Sequence, residues 1–168
     1  IVCRLLSKRK RIVAHGKWVL ITGCDSGFGA LLTRKALLEG FSVIAACYSE
    51  AGASKLDGTG HVVTIVADLL TKEGRTKVVS TTRAACESRG GLFAIVNNAG
   101  LAIPGNVDWL HPDAYVKTME LNFHAPVELT YELLPLIKKS QGRIINVASV
   151  GGFLSLPTAA PYSASKHA

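Results

Sequence analysis

The stretch Thr22-Gly23-Cys24-Asp25-Ser26-Gly27-Phe28-Gly29 decides the fold of this chain. It follows the apolar run Trp18-Val19-Leu20-Ile21 and precedes a segment with the hydrophobic periodicity of a helix. A strand, a glycine-rich turn and a helix N-terminus leave backbone N–H groups pointing at one spot, where the helix dipole favours negative charge. The stretch therefore predicts a phosphate-binding turn between a strand and a helix.

Each glycine of this turn has its own expected role. Gly23 suits a tight turn, Gly27 lets a pyrophosphate approach the backbone, and Gly29 lets the helix pack close to the strand. The alternative is an ordinary glycine-containing loop between a strand and a helix. The rest of the chain distinguishes the two interpretations.

Length and composition indicate one globular domain, because the chain has 168 residues and 48% of them are hydrophobic. The net charge of +7 is concentrated at one end, since residues 1–17 carry six basic side chains and no acid. Residues 18–168 hold 13 basic and 12 acidic side chains, a net charge of +1. This nearly neutral body excludes a nucleic-acid-binding surface there.

The first residues form a basic arm, for which two interpretations are open. An apolar run over residues 1–6 is followed by Ser7-Lys8-Arg9-Lys10-Arg11, as at the end of a membrane segment with its flanking charges. Because a spanning helix needs about 20 residues, most of such an anchor would precede Ile1. A solvated basic linker explains the arm equally well. We therefore expect a basic arm over residues 1–16 and one domain over residues 17–168.

The chain has four cysteines, Cys3, Cys24, Cys47 and Cys86. No two of them form a CxxC motif, and none is spaced from a histidine as metal ligands are. We expect reduced thiols that act as small apolar residues, and no metal site.

Strands alternating with helices predict a doubly wound α/β fold with a parallel sheet. The predicted strands cover residues 17–22, 41–47, 61–67, 92–96 and 142–148. The predicted helices cover residues 28–39, 71–89 and about 112–139, and a fourth begins at Tyr162 after a Pro161 turn. Residues 49–60 are predicted as loop. The first helix is expected to carry an apolar stripe formed by Phe28, Leu31, Leu32 and Ala36.

Ligands of such folds bind outside the carboxyl ends of the strands. A chemically informative residue follows each predicted strand, in the order Gly23, Cys47, Asp68, Asn97 and Ser149. We therefore expect these residues to converge on one site.

A second group of residues predicts chemistry at that site. Tyr162 and Lys166 are four residues apart on a predicted helix, which places them on the same face, one turn apart. An adjacent ammonium favours the phenolate, so the tyrosine becomes usable as a proton donor or acceptor. Ser149, at the end of the fifth strand, could hydrogen-bond a substrate oxygen and orient it toward the tyrosine.

Together these residues resemble the short-chain dehydrogenase/reductase family over about residues 17–168. The cofactor motif TGxxxGxG is matched by Thr22, Gly23, Gly27 and Gly29. The adenine-side acid is matched by Asp68, and the NNAG stretch by residues 97–100. The four catalytic residues of the family are matched by Asn122, Ser149, Tyr162 and Lys166. The fuller string TGCDSGFG is similar to the branch that holds retinol, hydroxysteroid and D-3-hydroxybutyrate dehydrogenases.

The resemblance implies a mechanism and a set of cofactor contacts. Tyr162 would exchange a proton with the substrate while a hydride passes to or from nicotinamide, Lys166 would hold the nicotinamide ribose, and Ser149 would orient the substrate oxygen. Asn122 would anchor a water of the proton relay. The implied cofactor-binding residues are Thr22, Gly23, Asp25, Ser26, Gly27, Phe28, Gly29, Cys47, Asp68, Leu69, Asn97, Ala99, Gly100, Tyr162 and Lys166.

Pro126 supports the role of Asn122 independently. A proline four residues after Asn122 supplies no N–H to its carbonyl and kinks the helix there. The carbonyl of Asn122 is then free to hold a water. The alternative is that Pro126 only bends a helix around the core.

Cofactor choice is predicted from the residues beside the ribose. Because Ser26, Cys47 and Tyr48 include no cation for a 2′-phosphate, NAD is favoured over NADP. Phe153, Leu154 and Leu156 fit a hydrophobic alcohol or ketone of retinoid or steroid type, although an apolar loop packed on the core explains them too.

Several expectations concern the whole protein. The family continues well beyond the Tyr-x-x-x-Lys helix, so the resemblance implies that this chain is truncated at both ends, lacks C-terminal strands and is inactive alone. When full length, the protein is expected to form a homo-oligomer, and a membrane anchor would place it at the endoplasmic reticulum. The alternatives are a mitochondrial or cytoplasmic location, a D-3-hydroxybutyrate-type activity, and a non-catalytic dinucleotide-binding protein.

Overall fold

The computed structural model describes residues 12–56 and 61–168. In this part of the chain five parallel strands form one sheet in the order β3-β2-β1-β4-β5. The strands are β1 (Trp18–Thr22), β2 (Ser42–Cys47), β3 (Val62–Val66), β4 (Leu92–Asn97) and β5 (Arg143–Asn146). The helices are α1 (Gly27–Leu38), α2 (Glu50–Ser54), α3 (Lys72–Cys86), α4 (Asp113–Met119), α5 (Ala125–Lys139) and α6 (Ala160–His167). The predicted doubly wound α/β fold is confirmed.

The central strands are buried on both faces, as their continuous apolar runs predict. Every residue of β1 and of β2 is buried. One core cluster on the sheet includes Val78 of α3 and Leu133 of α5. A second cluster includes Ala53 of α2 and Val19 of β1. The order of the strands reverses at β1, because the chain runs from β1 to β3 on one side and continues with β4 on the other. Open sheets bind their ligands at such a point.

Helix α2 corrects the prediction of a loop over residues 49–60. The side chain of Ser49 caps the helix by accepting a hydrogen bond from Gly52 N, at 3.1 Å. A Cβ at Gly52 would overlap the carboxylate of Asp25, so the glycine permits close packing there. The glycine and serine that favour a loop in the sequence are the packing and capping residues of a short helix. Residues 57–60 lie outside the described part of the chain.

Of the expected apolar stripe of α1, only Ala36 packs against the core. Phe28, Leu31 and Leu32 are exposed, whereas α1 buries Gly29 and Thr33. The helix approaches the sheet through small residues, and the Thr33 hydroxyl donates a hydrogen bond to Cys24 Sγ at 3.3 Å. Close helix packing against the glycine turn therefore decides the orientation of α1, and hydrophobic periodicity does not.

The predicted helix over about residues 112–139 is interrupted by a π-helical turn at Glu120–His124, which lies between α4 and α5. The Ala125 N–H accordingly donates to the carbonyl of Glu120, five residues back. Pro126 lies at the start of α5 and lacks the N–H that an α-helical bond to Asn122 would need.

Two further boundaries differ from the prediction. Helix α6 begins at Ala160, so Pro161 occupies its first turn instead of preceding the helix. The fifth strand is shorter than residues 142–148, and all of β5 is exposed.

The described part of the chain contains three buried cysteines that form no disulfide, namely Cys24, Cys47 and Cys86. Burial raises the pKa of Cys24 to about 12 and that of Cys86 to about 11, so both stay protonated thiols. Cys3 and most of the basic arm, residues 1–11, lie outside the described residues. No helix of the described part has the length and apolar character needed to cross a bilayer.

Candidate active site

The glycine turn between β1 and α1 has an open concave backbone. Gly23 and Gly27 both have positive φ angles, +71° and +55°, which favour glycine. A Cβ at Gly27 would meet nothing within 4 Å, so the backbone there faces open space. The N-cap residue Ser26 does not use its side chain to cap α1. The first N–H groups of α1 are thus left to bind an anion, as in a pyrophosphate cradle.

Gly29 and Asn98 fix the shape of this turn from behind. A Cβ at Gly29 would overlap the carbonyl oxygen of Gly23, so only glycine lets α1 approach so closely. Asn98 Nδ2 donates to the carbonyls of Thr22 and Gly23, at 2.8 and 3.1 Å. Thr22 Oγ1 in turn accepts from the N–H groups of Asn98 and Ala99, both at 3.0 Å. The turn after β1 is therefore bonded directly to the segment after β4.

Asp25 connects the turn to the end of β2. Its carboxylate accepts hydrogen bonds from Tyr48 N at 2.7 Å, Ser49 N at 2.9 Å and Ser49 Oγ at 2.8 Å. Partial burial raises the pKa of Asp25, but these hydrogen bonds outweigh it, and the pKa lies below its usual value. Asp25 is consequently an ionised anchor for the segment that follows β2.

Asp68 organises the segment after β3. Its carboxylate accepts from Leu70 N at 2.9 Å, and its carbonyl accepts from Thr71 Oγ1 at 2.9 Å. A Cβ at Gly74 would overlap the same carbonyl, so α3 packs directly on this segment.

A cavity of about 720 Å³ lies between these three segments, at the carboxyl edge of the sheet. It is lined by Gly23, Asp25, Ser26, Ala46, Cys47, Tyr48, Ser49, Ala67, Asp68, Leu69, Leu70, Asn98, Ala99, Gly100, Leu101 and Leu121. These lining residues include two carboxylates and no cationic side chain. A bound phosphate would therefore be held by backbone N–H groups.

Tyr162 and Lys166 lie on the same face of α6, as their spacing predicts. Lys166 Nζ is 5.8 Å from the centre of the Tyr162 ring. It donates a hydrogen bond to the carbonyl of Val147 at 2.9 Å, which anchors the ammonium at the end of β5. An ideal Cβ on Gly100 would lie 4.0 Å from Lys166 Nζ, so the ammonium lies next to a lining residue of this cavity. Lys166 itself lines a neighbouring cavity of about 610 Å³, together with Asn122 and Pro126.

Ser149 meets the tyrosine across Gly151. Ser149 Oγ accepts from Gly151 N at 3.1 Å, which caps the short 3₁₀ turn at Val150–Gly152. A Cβ on Gly151 would lie 3.1 Å from Cε1 of Tyr162 and 3.4 Å from Ser149 Oγ. The serine hydroxyl and the tyrosine ring thus flank the same small residue.

Asn122 joins the segment after β4 to α6. Its Oδ1 accepts from Leu101 N at 2.7 Å, and its Nδ2 donates to Leu101 O and to Ser165 Oγ, both at 2.9 Å. Ser165 Oγ donates to the carbonyl of Tyr162 at 2.8 Å. The asparagine side chain is therefore occupied in positioning α6, and its backbone carbonyl lies in the π-helical turn ahead of Pro126.

Apart from Tyr162 and Lys166, which lie on α6, the predicted cofactor residues fall into three groups in the structure. Those lining the cavity are Gly23, Asp25, Ser26, Cys47, Asp68, Leu69, Ala99 and Gly100. Those buried behind its wall are Thr22, Gly29 and Asn97, and Asn97 Nδ2 donates to Asn146 Oδ1 at 2.8 Å. Gly27 and Phe28 lie at the exposed start of α1, where the Phe28 side chain points to solvent.

Sequence reasoning did not assign Ser49, Leu101 and Leu121 to the site. Ser49 contacts the predicted residue Asp25, and Leu101 contacts the predicted residue Asn122. Because these contacts span many residues along the chain, local sequence patterns carried no signal for them.

Comparison with known proteins agrees with this geometry. Residues 17–168 match the family described as short chain dehydrogenase. Retinol dehydrogenase 7 of Rattus norvegicus is 37% identical over 158 residues, which cover 90% of this chain and 49% of that protein. The 17-beta-hydroxysteroid dehydrogenase type 6 of Bos taurus is 36% identical over 165 residues, which cover 95% of this chain and 51% of that protein.

Solved structures show the same likeness. A short chain dehydrogenase/reductase from Burkholderia phymatum in complex with NAD matches with a TM-score of 0.84 and 25% identity, covering 94% of this chain and 57% of that one. A 3-ketoacyl-(acyl-carrier-protein) reductase from Brucella melitensis complexed with NADH matches with a TM-score of 0.81 and 29% identity, covering 92% of this chain and 66% of that one.

The chain spans about half the length of the curated relatives that it matches. Those relatives include retinol dehydrogenases and a hydroxysteroid dehydrogenase, so the resemblance to that branch is confirmed. The chain belongs to the short-chain dehydrogenase family.

Proposed function

We propose that this chain carries the cofactor site and the catalytic residues of a nicotinamide-dependent oxidoreductase for hydrophobic alcohols or their carbonyl counterparts. One observation carries the proposal: Lys166 and Asn122 meet at Gly100, a lining residue of the open cavity, and Lys166 shares one face of α6 with Tyr162, which lies near Ser149. Gly100 borders both Lys166 Nζ and Asn122 Oδ1, and Gly151 borders both Tyr162 and Ser149.

The turn and the neighbouring segments would hold the dinucleotide. The N–H groups of α1 and the open backbone at Gly27 suit the pyrophosphate, while Asp68 and Leu69 border the adenine end. Lys166 Nζ, next to the lining residue Gly100, is placed for the nicotinamide ribose. The nicotinamide, when bound, supplies or accepts the hydride.

The protein's own residues would handle the proton. The Tyr162 hydroxyl exchanges a proton with the substrate oxygen, and the Lys166 ammonium favours the phenolate by its positive charge. Ser149 Oγ orients the substrate oxygen toward the tyrosine. The carbonyl of Asn122, which has no α-helical donor because of Pro126, holds a water that connects the lysine to solvent.

The charges of the cavity favour NAD over NADP. Asp25 borders the segment after β2, where the adenosine ribose binds in such folds, and its depressed pKa keeps it ionised. A 2′-phosphate there would face a carboxylate without a cationic partner among the lining residues. Repulsion between like charges would therefore weaken NADP binding.

The substrate class rests on the relatives and on one apolar segment. Phe153, Leu154 and Leu156 follow the turn that carries Ser149, and all three are exposed. An exposed apolar segment beside the catalytic serine suits a hydrophobic alcohol of retinoid or steroid type. Association with a membrane through the basic arm, and a homo-oligomer in the full-length protein, are proposed with it from the sequence.

The proposal is tested by purifying the full-length protein and measuring NADH formation with retinol, a 17-beta-hydroxysteroid and D-3-hydroxybutyrate. We expect turnover of a hydrophobic alcohol, with a lower KM for NAD than for NADP. If only D-3-hydroxybutyrate were oxidised, the proposed class of hydrophobic alcohols would be wrong and the D-3-hydroxybutyrate-type activity would take its place. The enzymatic assignment would be contradicted if the protein bound NAD but neither oxidised any of these alcohols nor reduced the corresponding carbonyl compounds.

Cofactor choice has its own test at Tyr48, whose side chain is 70% exposed and borders the cavity. Tyr48→Arg supplies the missing cation and should tighten NADP binding by up to about fivefold, since a new exposed ion pair contributes at most about 1 kcal/mol. Tyr48→Gln is the matched control and should leave NADP binding unchanged. An equal gain in both variants would show that charge does not decide the preference.

A further inference from the structure

Arg75 is a charged side chain that α3 buries in the middle of the protein. Only 8% of the residue is exposed, which is unusual for arginine. It follows Gly74, which packs against the carbonyl of Asp68. A buried guanidinium is tolerated only if acceptors surround it, and here they come from three separate elements.

Two of the acceptors belong to the segment after β3. Arg75 Nη1 donates to the carbonyl of Leu69 at 2.9 Å and to that of Leu70 at 3.2 Å. Both leucines line the dinucleotide cavity. The guanidinium therefore holds the wall of the cavity on the side of β3.

The other acceptors are two carboxylates on the segment that carries Asn122. Arg75 Nη1 lies 2.9 Å from Glu120 Oε1, and Arg75 Nε donates to Glu128 Oε2 at 2.7 Å. Glu120 begins the π-helical turn, two residues before Asn122, and Glu128 lies one turn into α5. Leu121, next to Glu120, lines the same cavity.

We propose that Arg75 is a positioning residue that couples the cavity wall after β3 to the π-helical turn bearing Asn122. The inference rests on the proposed function, because it assigns this coupling to dinucleotide binding and turnover. A single side chain bonds both segments, so a shift of one displaces the other. Removing the guanidinium therefore loosens two segments together: the cavity wall after β3 and the π-helical turn whose Asn122 positions α6.

A second arginine on the same helix provides the control. Arg83 lies two turns after Arg75 and also bridges α3 to α5, with Arg83 Nη2 at 3.0 Å from Glu132 Oε2. This pair is half exposed, and neither residue lines the cavity. Arg75→Met and Arg83→Met therefore both remove an ion pair between α3 and α5. The pair that Arg75→Met removes is connected to the site, whereas the pair that Arg83→Met removes is not.

The experiment measures NAD binding by calorimetry and kcat in the full-length protein, at a temperature where every variant is folded. Arg75→Met should raise the Kd for NAD about tenfold, because an error of about 1 Å in a positioned group costs that much or more, and should lower kcat as well. Arg83→Met should stay within about twofold of the wild type for both quantities. Hydrogen exchange should increase at the Leu101 N–H, which donates to Asn122, in Arg75→Met and not in Arg83→Met.

Two milder variants keep the test decisive if Arg75→Met folds poorly. Glu120→Gln, which weakens the bond to the π-helical turn, should lower kcat and speed exchange at Leu101 more than Glu128→Gln does. Compared with Arg75→Met, Arg75→Lys should recover much of the stability but not the affinity for NAD. A single ammonium cannot bond all the acceptors that the guanidinium reaches.

The outcomes separate the inference from the proposed function. If the wild type binds NAD and turns over an alcohol while Arg75→Met and Glu120→Gln change only the melting temperature, the inference is wrong and the proposed function stands. A folded wild type that binds no dinucleotide would overturn both.

Discussion

The cofactor side and the catalytic side of the sheet are held in place differently. On the cofactor side, β1 and β2 are entirely buried, and the turn after β1 is shaped by Gly23 and Gly29, which leave no room for a Cβ. On the catalytic side, α6 packs against Gly152, where a Cβ would overlap the carbonyl of Lys166, and it is linked to its neighbours by hydrogen bonds of Asn122 and Lys166. Close packing at glycines thus occurs in both regions, but only in the second do the proposed catalytic side chains themselves make hydrogen bonds that position a helix.

This difference predicts separable effects of substitutions. Changes on the cofactor side should alter stability and affinity together, because the same close packing supports both. Changes on the catalytic side should alter turnover with little effect on affinity.

The largest effect is expected from Tyr162→Phe. Removing the hydroxyl deletes the proton donor and should lower kcat by about a thousandfold, within the usual range for a general acid or base. The ring of Tyr162 remains against Gly151, so the fold should be unchanged. Steady-state kinetics and NAD calorimetry on the same preparation check this, and a Kd for NAD that rises as much as kcat falls would contradict the separation.

Gly29→Ala should give the next largest effect, on the cofactor side. The new methyl group would overlap the Gly23 carbonyl, so the turn must open, which should weaken NAD binding by about a hundredfold. Overpacking should also lower the free energy of unfolding by about 3 kcal/mol.

Gly142→Ala is the matched control for this substitution. The new Cβ would lie 2.6 Å from the carbonyl oxygen of Phe93. Gly142, however, precedes β5 and lies at the amino ends of the strands, away from the cavity at their carboxyl ends. It should destabilise the protein comparably and leave the NAD affinity of the folded fraction unchanged. Equal losses of affinity in both variants, measured by calorimetry and urea unfolding, would show that the turn has no special role.

These expectations also indicate how much the sequence could predict. The turn from β1 to α1 and the shared face of Tyr162 and Lys166 follow from contiguous patterns, so both were predicted correctly. The bonds from Asp25 to Ser49 and from Asn122 to Leu101 join residues more than 20 positions apart, and no periodicity reports them. Fold, family and the glycine turn were therefore accessible from the sequence, whereas the contacts that position the proposed catalytic residues required the structure.

The exposed residues of α1 show that a contiguous sequence pattern can also give a wrong prediction. Phe28 and Leu31 have helical spacing yet face solvent, because Gly29 and Thr33 make the closer contact with the turn. Hydrophobicity alone selected the wrong face.

Pro126→Ala should have a smaller effect, confined to turnover. Alanine supplies the N–H that the carbonyl of Asn122 lacks, so the proton-relay water would lose its acceptor and kcat should fall about tenfold. Pro135→Ala, the same substitution inside α5 and away from the site, serves as the control. Unchanged kcat in Pro126→Ala, with NAD binding intact, would show that the proline only bends the helix.

The smallest effect is expected from Asp25→Asn, and it should depend on pH. The pKa of Asp25 is depressed in the folded protein, so its stabilising effect is complete above the unfolded pKa and is lost as pH falls through the folded pKa. At pH 7 the variant should lose about 1 kcal/mol of unfolding free energy and bind NAD a few times more weakly.

Urea unfolding of wild type and Asp25→Asn at pH 7 and in acid below the usual carboxyl pKa of about 3.9 checks this sign. The difference between the two proteins should shrink as the pH is lowered. A difference that stays constant would mean that the carboxylate charge does not stabilise the segment after β2.

The most direct measurement of the central claim is a crystal structure of the full-length protein grown with NAD. The account predicts the pyrophosphate against the first N–H groups of α1 at Gly27, and the nicotinamide ribose within hydrogen-bonding distance of Lys166 Nζ. The nicotinamide should then lie beside the Tyr162 hydroxyl. NAD bound elsewhere, or bound in this cavity with Tyr162 and Lys166 turned away from its nicotinamide end, would contradict the account.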